Sequence, residues 1–334
     1  MARILVKRLL SILGLLLVLA AAFVAGWVPL PYYALGPGPA RDVTPLIRVE
    51  GHPVYASDGT LIMTTVAYRK VTALQALFAW IDPERSLVAQ DVLYPPGSSV
   101  EQEDQRARSQ MDQSKIDATA VVLRRLLAYP KDHGTGALIQ YVGPGCPAEG
   151  ELFPGDLVVE IDGQDVASAD EASRLLDAVP VDRPVTFDVE AGGDRTEVRL
   201  ARGVCGDAEE PLLGINLIDG FPIDVTISSG DVGGPSAGMM WALGLYELMT
   251  PGDLTDGRTI AGTGTIDLRG NVGPIGDIAD KAVAARQAGA DVFLVPRADL
   301  VTLQGIDTDG MDVVPVSTFA QVLRYLGVEP PNPS

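Results

Sequence analysis

The chain has 334 residues, a length that suits two or three folded domains rather than one. Its 44 acidic residues outnumber 25 basic ones, and the resulting net charge of −19 repels nucleic acid and anionic surfaces. We therefore expect no nucleic-acid partner, while a hydrophobic content of 47% is ample for folded cores.

The N-terminus carries the pattern of a membrane span. Three basic residues within residues 1–8 precede an apolar run over residues 9–30, and about 20 apolar residues are needed to cross a bilayer. Because a positive flank stays cytoplasmic, residues 1–8 are predicted to be a cytoplasmic tail, with every later domain extracytoplasmic. A signal peptide cleaved after the alanines at 20–22 is the alternative, but the run exceeds a usual signal core of about 7–15 residues. We favour an uncleaved, single-pass anchor in the cell membrane.

Residues 31–130 are predicted to form a linker followed by a small α/β segment. Proline and glycine dominate residues 31–41, which favours the linker. The hydrophobic pattern then predicts strands at 46–50 and 61–68, a helix at 73–81, and a polar, mobile loop at 97–115 that leads into a helix ending at Pro130. This segment offers no catalytic pattern.

Residues 131–205 form a second predicted unit, which is rich in short strands. Strands are predicted at 137–142 and 157–161, and Asp162-Gly163 is a hairpin signal. Ser168 and Glu171 are spaced as a capping box for a short helix, and two closing strands follow.

The order of these elements resembles a bacterial-type PDZ domain. The stretches that carry the resemblance are GTGALIQYV (134–142) and CPAEGELFPGDLVVEIDGQDV (146–166). The resemblance implies capture of a peptide as an added strand, with its terminal carboxylate received by a glycine-rich loop. By resemblance that loop comprises Gly134, Thr135, Gly136, Ala137 and Leu138. A spacer domain that binds nothing is the alternative.

The chain contains two cysteines, Cys146 and Cys205. They are candidates for one disulfide in an oxidising compartment, and two buried thiols are the alternative. Their spacing alone does not decide between the two.

Residues 206–328 alternate strands with helices, which indicates a third, α/β domain. Strands are predicted at 212–218, 223–228, 259–266 and 291–295, and helices at 235–249 and 277–288. Residues 329–334 are predicted to be a tail. The whole chain is therefore expected to be an α+β multidomain protein with an N-terminal transmembrane helix.

The run GGPSAG (233–238) places Ser236 near the start of an apolar helix. Free N–H groups and the helix dipole favour negative charge there, which suits a nucleophile and its oxyanion. A serine that merely caps the helix is the plain alternative. The run also fits the nucleophile elbow of α/β-hydrolases, but those enzymes place histidine after the serine. Here both His52 and His133 precede it.

Lys281 is the only lysine after position 131 and is a candidate general base. At helical spacing its neighbours include Ile278, Ala284 and Ala285, so its face of the helix is apolar. Burial there would lower the lysine pKa and let the amine accept a proton from a serine, without any histidine. Asp277 opposes this effect, and a solvated surface lysine is the alternative.

Three stretches together resemble the proteolytic domain of Lon-type peptidases: GGPSAG (233–238), TGTIDLRGNVGPIG (263–276) and DIADKAVAARQAG (277–289). The resemblance implies a dyad of Ser236 and Lys281, with Thr263 hydrogen-bonded to the lysine. Gly233 departs from the aspartate usual in that family and leaves the dyad intact. Joined to an anchor and a PDZ unit, the chain resembles the membrane-anchored, PDZ-containing Lon-type proteases of bacteria.

The resemblance implies a serine endopeptidase that cleaves protein or peptide substrates and can form a homo-oligomer. The sequence holds no G-x-x-x-x-G-K-[ST], so we expect no nucleotide and no dependence on ATP. No cofactor and no metal site is expected, because histidine and cysteine show no metal-ligand spacing. A catalytically idle scaffold that binds membrane or secreted partners is the alternative function, and a secreted esterase is a weaker one.

Overall fold

A computed structural model describes residues 2–82 and 84–328, and side chains from residue 10 onward. The predicted tail at 329–334 lies outside the described residues. The described part contains eight α-helices: α1 (Ala2–Trp27), α2 (Ala73–Ile81), α3 (Gln90–Leu93), α4 (Val100–Leu126), α5 (Ala169–Ala178), α6 (Gly238–Met249), α7 (Ile278–Gln287) and α8 (Phe319–Tyr325).

The described strands belong to three larger sheets and two short strand pairs. In chain order they are β1 (Pro29–Pro37), β2 (Arg41–Asp42), β3 (Ile47–Glu50), β4 (Thr60–Met63), β5 (Val66–Thr72), β6 (Ser86–Ala89), β7 (Ala137–Val142), β8 (Leu157–Ile161), β9 (Gln164–Asp165), β10 (Val185–Ala191), β11 (Asp194–Leu200), β12 (Ile215–Asp219), β13 (Asp224–Ile227), β14 (Thr259–Gly262), β15 (Thr265–Ile266), β16 (Val272–Gly273), β17 (Val292–Pro296) and β18 (Asp312–Val316). The presence of both α-helices and β-sheets confirms the predicted α+β class.

Helix α1 carries the predicted anchor. Its segment Leu10–Trp27 is long and apolar enough to cross a membrane, by length and composition alone, and a signal sequence would pass the same test. The helix ends at Trp27, so the last residues of the predicted 9–30 span are not helical. The reason is local, because Pro29 begins strand β1 and cannot donate a helical hydrogen bond.

The predicted linker at 31–41 is largely a strand. Strand β1 is the middle member of a three-stranded sheet, between β5 and β6. Pro31 lacks an N–H group, but the register between β1 and β5 shifts between Pro29 and Tyr33, at the place where this proline lies. Pro31 is thus accommodated at an irregularity. The linker prediction was wrong for residues 31–37.

The C-terminal domain includes strands from the N-terminal third of the chain. Its five-stranded sheet has the order β18-β17-β14-β4-β2, and β4 pairs in parallel with β14. Strand β3 pairs with β13, and helix α4 packs against α6. The predicted boundary at residue 206 therefore leaves out elements on which this domain is built. Local patterns carry no information about pairing across some 200 residues of sequence, as between Leu61 and Ile260.

The predicted loop at 97–115 is part of helix α4. Ser99 and Gln102 form a reciprocal capping box, in which Ser99 Oγ accepts from Gln102 N at 3.2 Å and Gln102 Oε1 accepts from Ser99 N at 2.9 Å. The polar residues that suggested a loop lie mostly on the outer face of the first turns, while Met111 is buried. The helix ends at Leu126, before Pro130.

The PDZ-like unit is a sheet of order β11-β10-β8-β7-β12, with β9 paired to β8 and helix α5 packed alongside. Its core includes Ile139, Val158 and Phe187. Strand β12 lies beyond the predicted end at residue 205, yet it pairs with β7 and completes this sheet. The unit is thus inserted between α4 and the rest of the C-terminal domain.

The predicted capping box on α5 forms in a modified way. Ser168 Oγ accepts from Glu171 N at 3.2 Å, as expected. Glu171 Oε2 accepts from Ala167 N rather than from Ser168 N. Both side chains therefore fix the helix start, but the glutamate accepts from the residue before the N-cap rather than from the N-cap itself.

Candidate active site

Ser236 lies in a 3₁₀ turn, Pro235–Ala237, that leads directly into α6. Gly234 before it has φ +83° and ψ 156°, a backbone shape that favours glycine. The Gly234 N–H donates to the carbonyl of Ala107 in α4 at 2.7 Å. The glycine-rich run therefore turns the chain sharply and holds the serine against a neighbouring helix.

A second contact from α4 supports the same turn. Ser114 Oγ donates to the carbonyl of Pro235 at 3.0 Å, and Ser114 is buried. A side chain at Gly238 would place its Cβ 2.5 Å from Ser114 Oγ, so glycine is required for this close approach. Ser114 was missed in the sequence because this part of α4 was assigned to a loop.

The carbonyl of Ser236 is held from the other side by the segment after β14. It accepts from Gly264 N at 2.7 Å and from Thr263 Oγ1 at 3.0 Å. Thr263 is itself buried at the end of the sheet. The serine backbone is thus fixed by both α4 and the central sheet.

Lys281 projects from α7 towards the same threonine. Its Nζ donates to Thr263 Oγ1 at 3.3 Å, and the residue is 5% exposed. The described residues contain no direct hydrogen bond between Lys281 Nζ and Ser236 Oγ. Both residues line one cleft of about 690 Å³.

Burial lowers the pKa of the Lys281 amine from its ordinary 10.5 to about 8. The carboxylates of Asp277 and Asp299 act in the opposite direction and raise it, but burial dominates. The sequence pointed to Asp277, whereas Asp299 comes from a separate 3₁₀ turn after β17 and had no local signal. A lysine with this pKa is substantially neutral near pH 8.

Part of the cleft lining comes from the N-terminal third of the chain. Its apolar lining includes Leu35, Met63, Val66 and Leu93. Thr64, beside them, is buried with its hydroxyl oxygen unpaired among the described residues. The segment that offered no catalytic pattern in the sequence therefore contributes to the lining of this cleft.

The predicted carboxylate loop of the PDZ unit does not suit an added strand. Ala137 and Leu138 belong to β7, which pairs with β8 on one side and β12 on the other. Gly134 N donates to the Gly220 carbonyl at 2.9 Å, and Gly136 N to the Ala167 carbonyl at 3.3 Å. Thr135 lies between these paired glycines. Strand β12 is instead an edge strand of the sheet and has α5 beside it.

Cys146 and Cys205 form a disulfide, which settles the alternatives left open by their spacing. The bond ties the segment that precedes β12 to the turn that follows β7. Gly143 N donates to the Gly214 carbonyl at 2.7 Å, and a side chain at Gly214 would collide with Cys146. The start of the edge strand is therefore tightly held.

Within residues 2–82 and 84–328, no cluster of three or more histidine, cysteine, aspartate or glutamate side chains could hold a metal ion.

Comparison with known families identifies two domains. Residues 215–328 match the Lon protease (S16) C-terminal proteolytic domain, and residues 138–190 match the PDZ domain. The chain therefore joins a PDZ domain to a proteolytic domain of the Lon type, which confirms the resemblance predicted from its motifs. The proteolytic match begins within β12, although this strand pairs in the PDZ sheet.

Curated relatives include Lon proteases. Lon protease 2 of Bacillus subtilis (strain 168) is 35% identical over 118 residues, which are 35% of this chain and 19% of the relative. Lon protease of Rickettsia felis is 35% identical over 116 residues, 33% of this chain and 15% of the relative. The chain thus spans less than a fifth of the length of either protein.

Solved structures similar to the PDZ part include domains of SdrC-like proteins. The PDZ domain from Listeria innocua is 28% identical and covers 25% of this chain and 92% of its own, with a TM-score of 0.23. The corresponding domain from Listeria monocytogenes is 26% identical and covers 25% and 86%, also with a TM-score of 0.23.

Proposed function

We propose that this chain is a membrane-anchored, ATP-independent serine endopeptidase in which Ser236 is the nucleophile and Lys281 the general base. One observation carries the proposal. Buried Lys281, with a pKa of about 8, donates a hydrogen bond to Thr263, and Thr263 donates one to the carbonyl of Ser236 at the start of a helix. Ser236 and Lys281 line the same open cleft.

The proposed reaction begins when Ser236 Oγ attacks the carbonyl carbon of the scissile peptide bond. Its proton passes to the neutral Nζ of Lys281, which burial keeps available. Amide N–H groups in the first turn at Ser236 lack intrahelical acceptors and stabilise the oxyanion. As the C–N bond breaks, the Lys281 ammonium returns the proton to the leaving amine.

The acyl-enzyme is then hydrolysed by water. Lys281 Nζ takes a proton from the water, the hydroxide attacks the acyl carbon, and the proton returns to Ser236 Oγ as the ester bond breaks. The missing direct bond between Lys281 and Ser236 is compatible with this sequence, since catalytic contacts commonly tighten when substrate binds. The shared partner Thr263 keeps the two groups close until then.

Three further features of the proposal come from the rest of the chain. The absence of a nucleotide-binding G-x-x-x-x-G-K-[ST] motif in the sequence supports ATP independence. The apolar segment Leu10–Trp27 supports anchoring in the cell membrane, and the basic residues before it support a cytoplasmic N-terminus. A span that remains attached would hold the cleft on the extracytoplasmic side.

Substrate capture is proposed for the edge of β12 that lies beside α5. An extended peptide would pair with the free edge of β12, and Ile215, Leu217 and Leu176 offer an apolar floor. Gly214, with φ +83°, turns the backbone just before this strand and suits the receipt of a terminal carboxylate. This location replaces the loop at 134–138 predicted from the sequence.

The proposal is tested with an active-site-directed serine probe and a peptide-cleavage assay. Wild type is expected to be labelled at Ser236 and to cleave, whereas Ser236→Ala should do neither. Lys281→Arg keeps the charge but removes the base, so it should be as inactive as Lys281→Ala. Cleavage at wild-type rate by either lysine variant would refute the dyad, and absent labelling of folded wild type would favour the scaffold alternative.

A further inference from the structure

Helix α2 exposes an apolar surface that the fold does not cover. Its sequence, ALQALFAWI, contains no charged residue, and Ala79 is the one residue that it buries. Trp80 is 76% exposed, Phe78 59% and Leu77 54%, and Leu74 and Ile81 are exposed as well. Exposed apolar patches of this kind usually mark an interaction site in a soluble domain.

The position of α2 indicates what covers this surface. Thr72, its N-cap, pairs with Pro29 at the start of β1, and Pro29 follows the end of α1 at Trp27 by two residues. Helices α1 and α2 also contact each other directly. The apolar surface of α2 therefore lies beside the end of the candidate membrane span.

We propose that α2 lies in the headgroup region of the bilayer that α1 crosses, with Leu77, Phe78 and Trp80 inserted at the acyl boundary. A nine-residue helix is about 13 Å long, too short to span, and therefore suits the plane of the interface. Tryptophan is enriched at this depth, and Trp27 at the end of α1 is similarly exposed. Arg69 and Lys70 are exposed and precede α2, so their positive charges would attract lipid phosphates. They supply this local positive charge although the whole chain is negatively charged.

Two attachments to the bilayer would orient the proteolytic domain. Leu35 lines the catalytic cleft and lies six residues along β1 from Pro29, a distance of about 20 Å for an extended strand. The same strand pairs Leu35 with Tyr68 of β5, the strand that leads into α2. The cleft would thus stay close to the membrane surface and favour substrates with a cleavable segment there. This inference rests on the proposed anchor.

The test uses the full chain in vesicles of phosphatidylcholine and phosphatidylglycerol, with an environment-sensitive fluorophore on a single new cysteine. The native cysteines are paired in a disulfide and do not compete for the label. Leu77→Cys probes α2, and Trp80→Cys repeats the test on the same exposed surface. Leu17→Cys probes the span, and Val181→Cys, 57% exposed on the PDZ domain, is the matched water-facing control.

Lipids that carry a quencher on their acyl chains should remove most fluorescence at positions 77, 80 and 17, but not at 181. If position 17 is quenched while 77 and 80 behave like 181, the α2 proposal fails and the anchor stands. If none is quenched, both fail. A third outcome is that the fluorescence of the α2 labels reports shielding from water, is unaffected by lipid quenchers and changes with the density of protein in the vesicles. In that case the α2 surface contacts a second copy of the chain, and the bilayer proposal is overturned.

Discussion

Lys281 Nζ donates a hydrogen bond to Thr263 Oγ1 across 3.3 Å. The threonine has a single hydroxyl hydrogen, and it is directed to the Ser236 carbonyl at 3.0 Å. Thr263 can therefore only accept from the lysine, which fixes one N–H of the amine. The lone pair of a neutral amine is left to receive a proton from elsewhere in the cleft.

Replacement of Thr263 by valine keeps the shape of the side chain and removes both hydrogen bonds. We expect kcat/KM to fall about 10- to 100-fold, because a hydrogen bond to a group that becomes charged is worth about 1.5–3 kcal/mol. Thr263→Ser should recover most of the activity, since the hydroxyl returns. Equal activity of Thr263→Val and wild type in steady-state kinetics would show that the threonine does not orient the base.

Lys281→Met should give an inactive protein that is more stable than wild type at neutral pH. The pKa of Lys281 is about 8 in the folded state and has its ordinary value of 10.5 in the unfolded chain, so the unfolded chain binds more protons between these values. Below pH 8, burial of the ammonium therefore costs up to about 3 kcal/mol of folding free energy. This cost disappears as pH rises from about 8 to 10.5. Urea unfolding at several pH values measures it.

The control for this prediction is Lys131→Met, because Lys131 is exposed. This change removes no buried ammonium, so the free energy of unfolding at pH 7 should match wild type. If Lys281→Met has a lower free energy of unfolding than wild type, by the same amount at pH 7 and at pH 10, burial of the ammonium does not destabilise the wild type.

Ser114→Ala removes the hydrogen bond from α4 to the Pro235 carbonyl. We expect kcat to fall roughly tenfold with little change in KM, since small displacements of a nucleophile are costly. Thr119→Ala is the matched control, because Thr119 is also buried in α4 but its hydroxyl donates to Lys115 within the helix. Each variant should lose about 1 kcal/mol of stability. Equal kcat values for the two would remove the positioning role of Ser114.

Replacement of Cys146 and Cys205 together by alanine should weaken peptide binding at the edge of β12. The disulfide joins cysteines 59 residues apart and holds the segment before β12. Its loss should lower the free energy of unfolding by about 2–4 kcal/mol. Titration of a labelled peptide measures the affinity, and hydrolysis of a small ester reports the dyad separately. Unchanged affinity in a folded variant would argue that the edge of β12 is not the capture site.

The structure brings together Ser236, Thr263 and Lys281, which the sequence named as candidate site residues. Ser236 and Lys281 had local glycine and apolar signals, whereas Thr263 was named only by the family resemblance. Helix α2 also begins and ends where its apolar run predicts, after the cap at Thr72. These features depend on neighbours within a few residues, which a pattern can report.

Long-range pairing was not predictable in this way. The sheet joins Leu61 to Ile260, and the edge strand of the PDZ domain follows a connection of 14 residues after β11. No local residue preference encodes such partners. The start of α4 is different, because the Ser99–Gln102 spacing was a legible capping signal that the polar composition obscured.

The most direct test of the account is an NMR titration of the lysine Cε signals in Ser236→Ala, with and without a bound peptide. The chain has five lysines, and Lys281→Met assigns the relevant signal by its disappearance. The account predicts that Lys281 titrates near pH 8, well below the ordinary lysine value of 10.5. A Lys281 pKa near 10.5 with peptide bound would mean that the amine stays protonated, and a Ser–Lys mechanism at neutral pH would be ruled out.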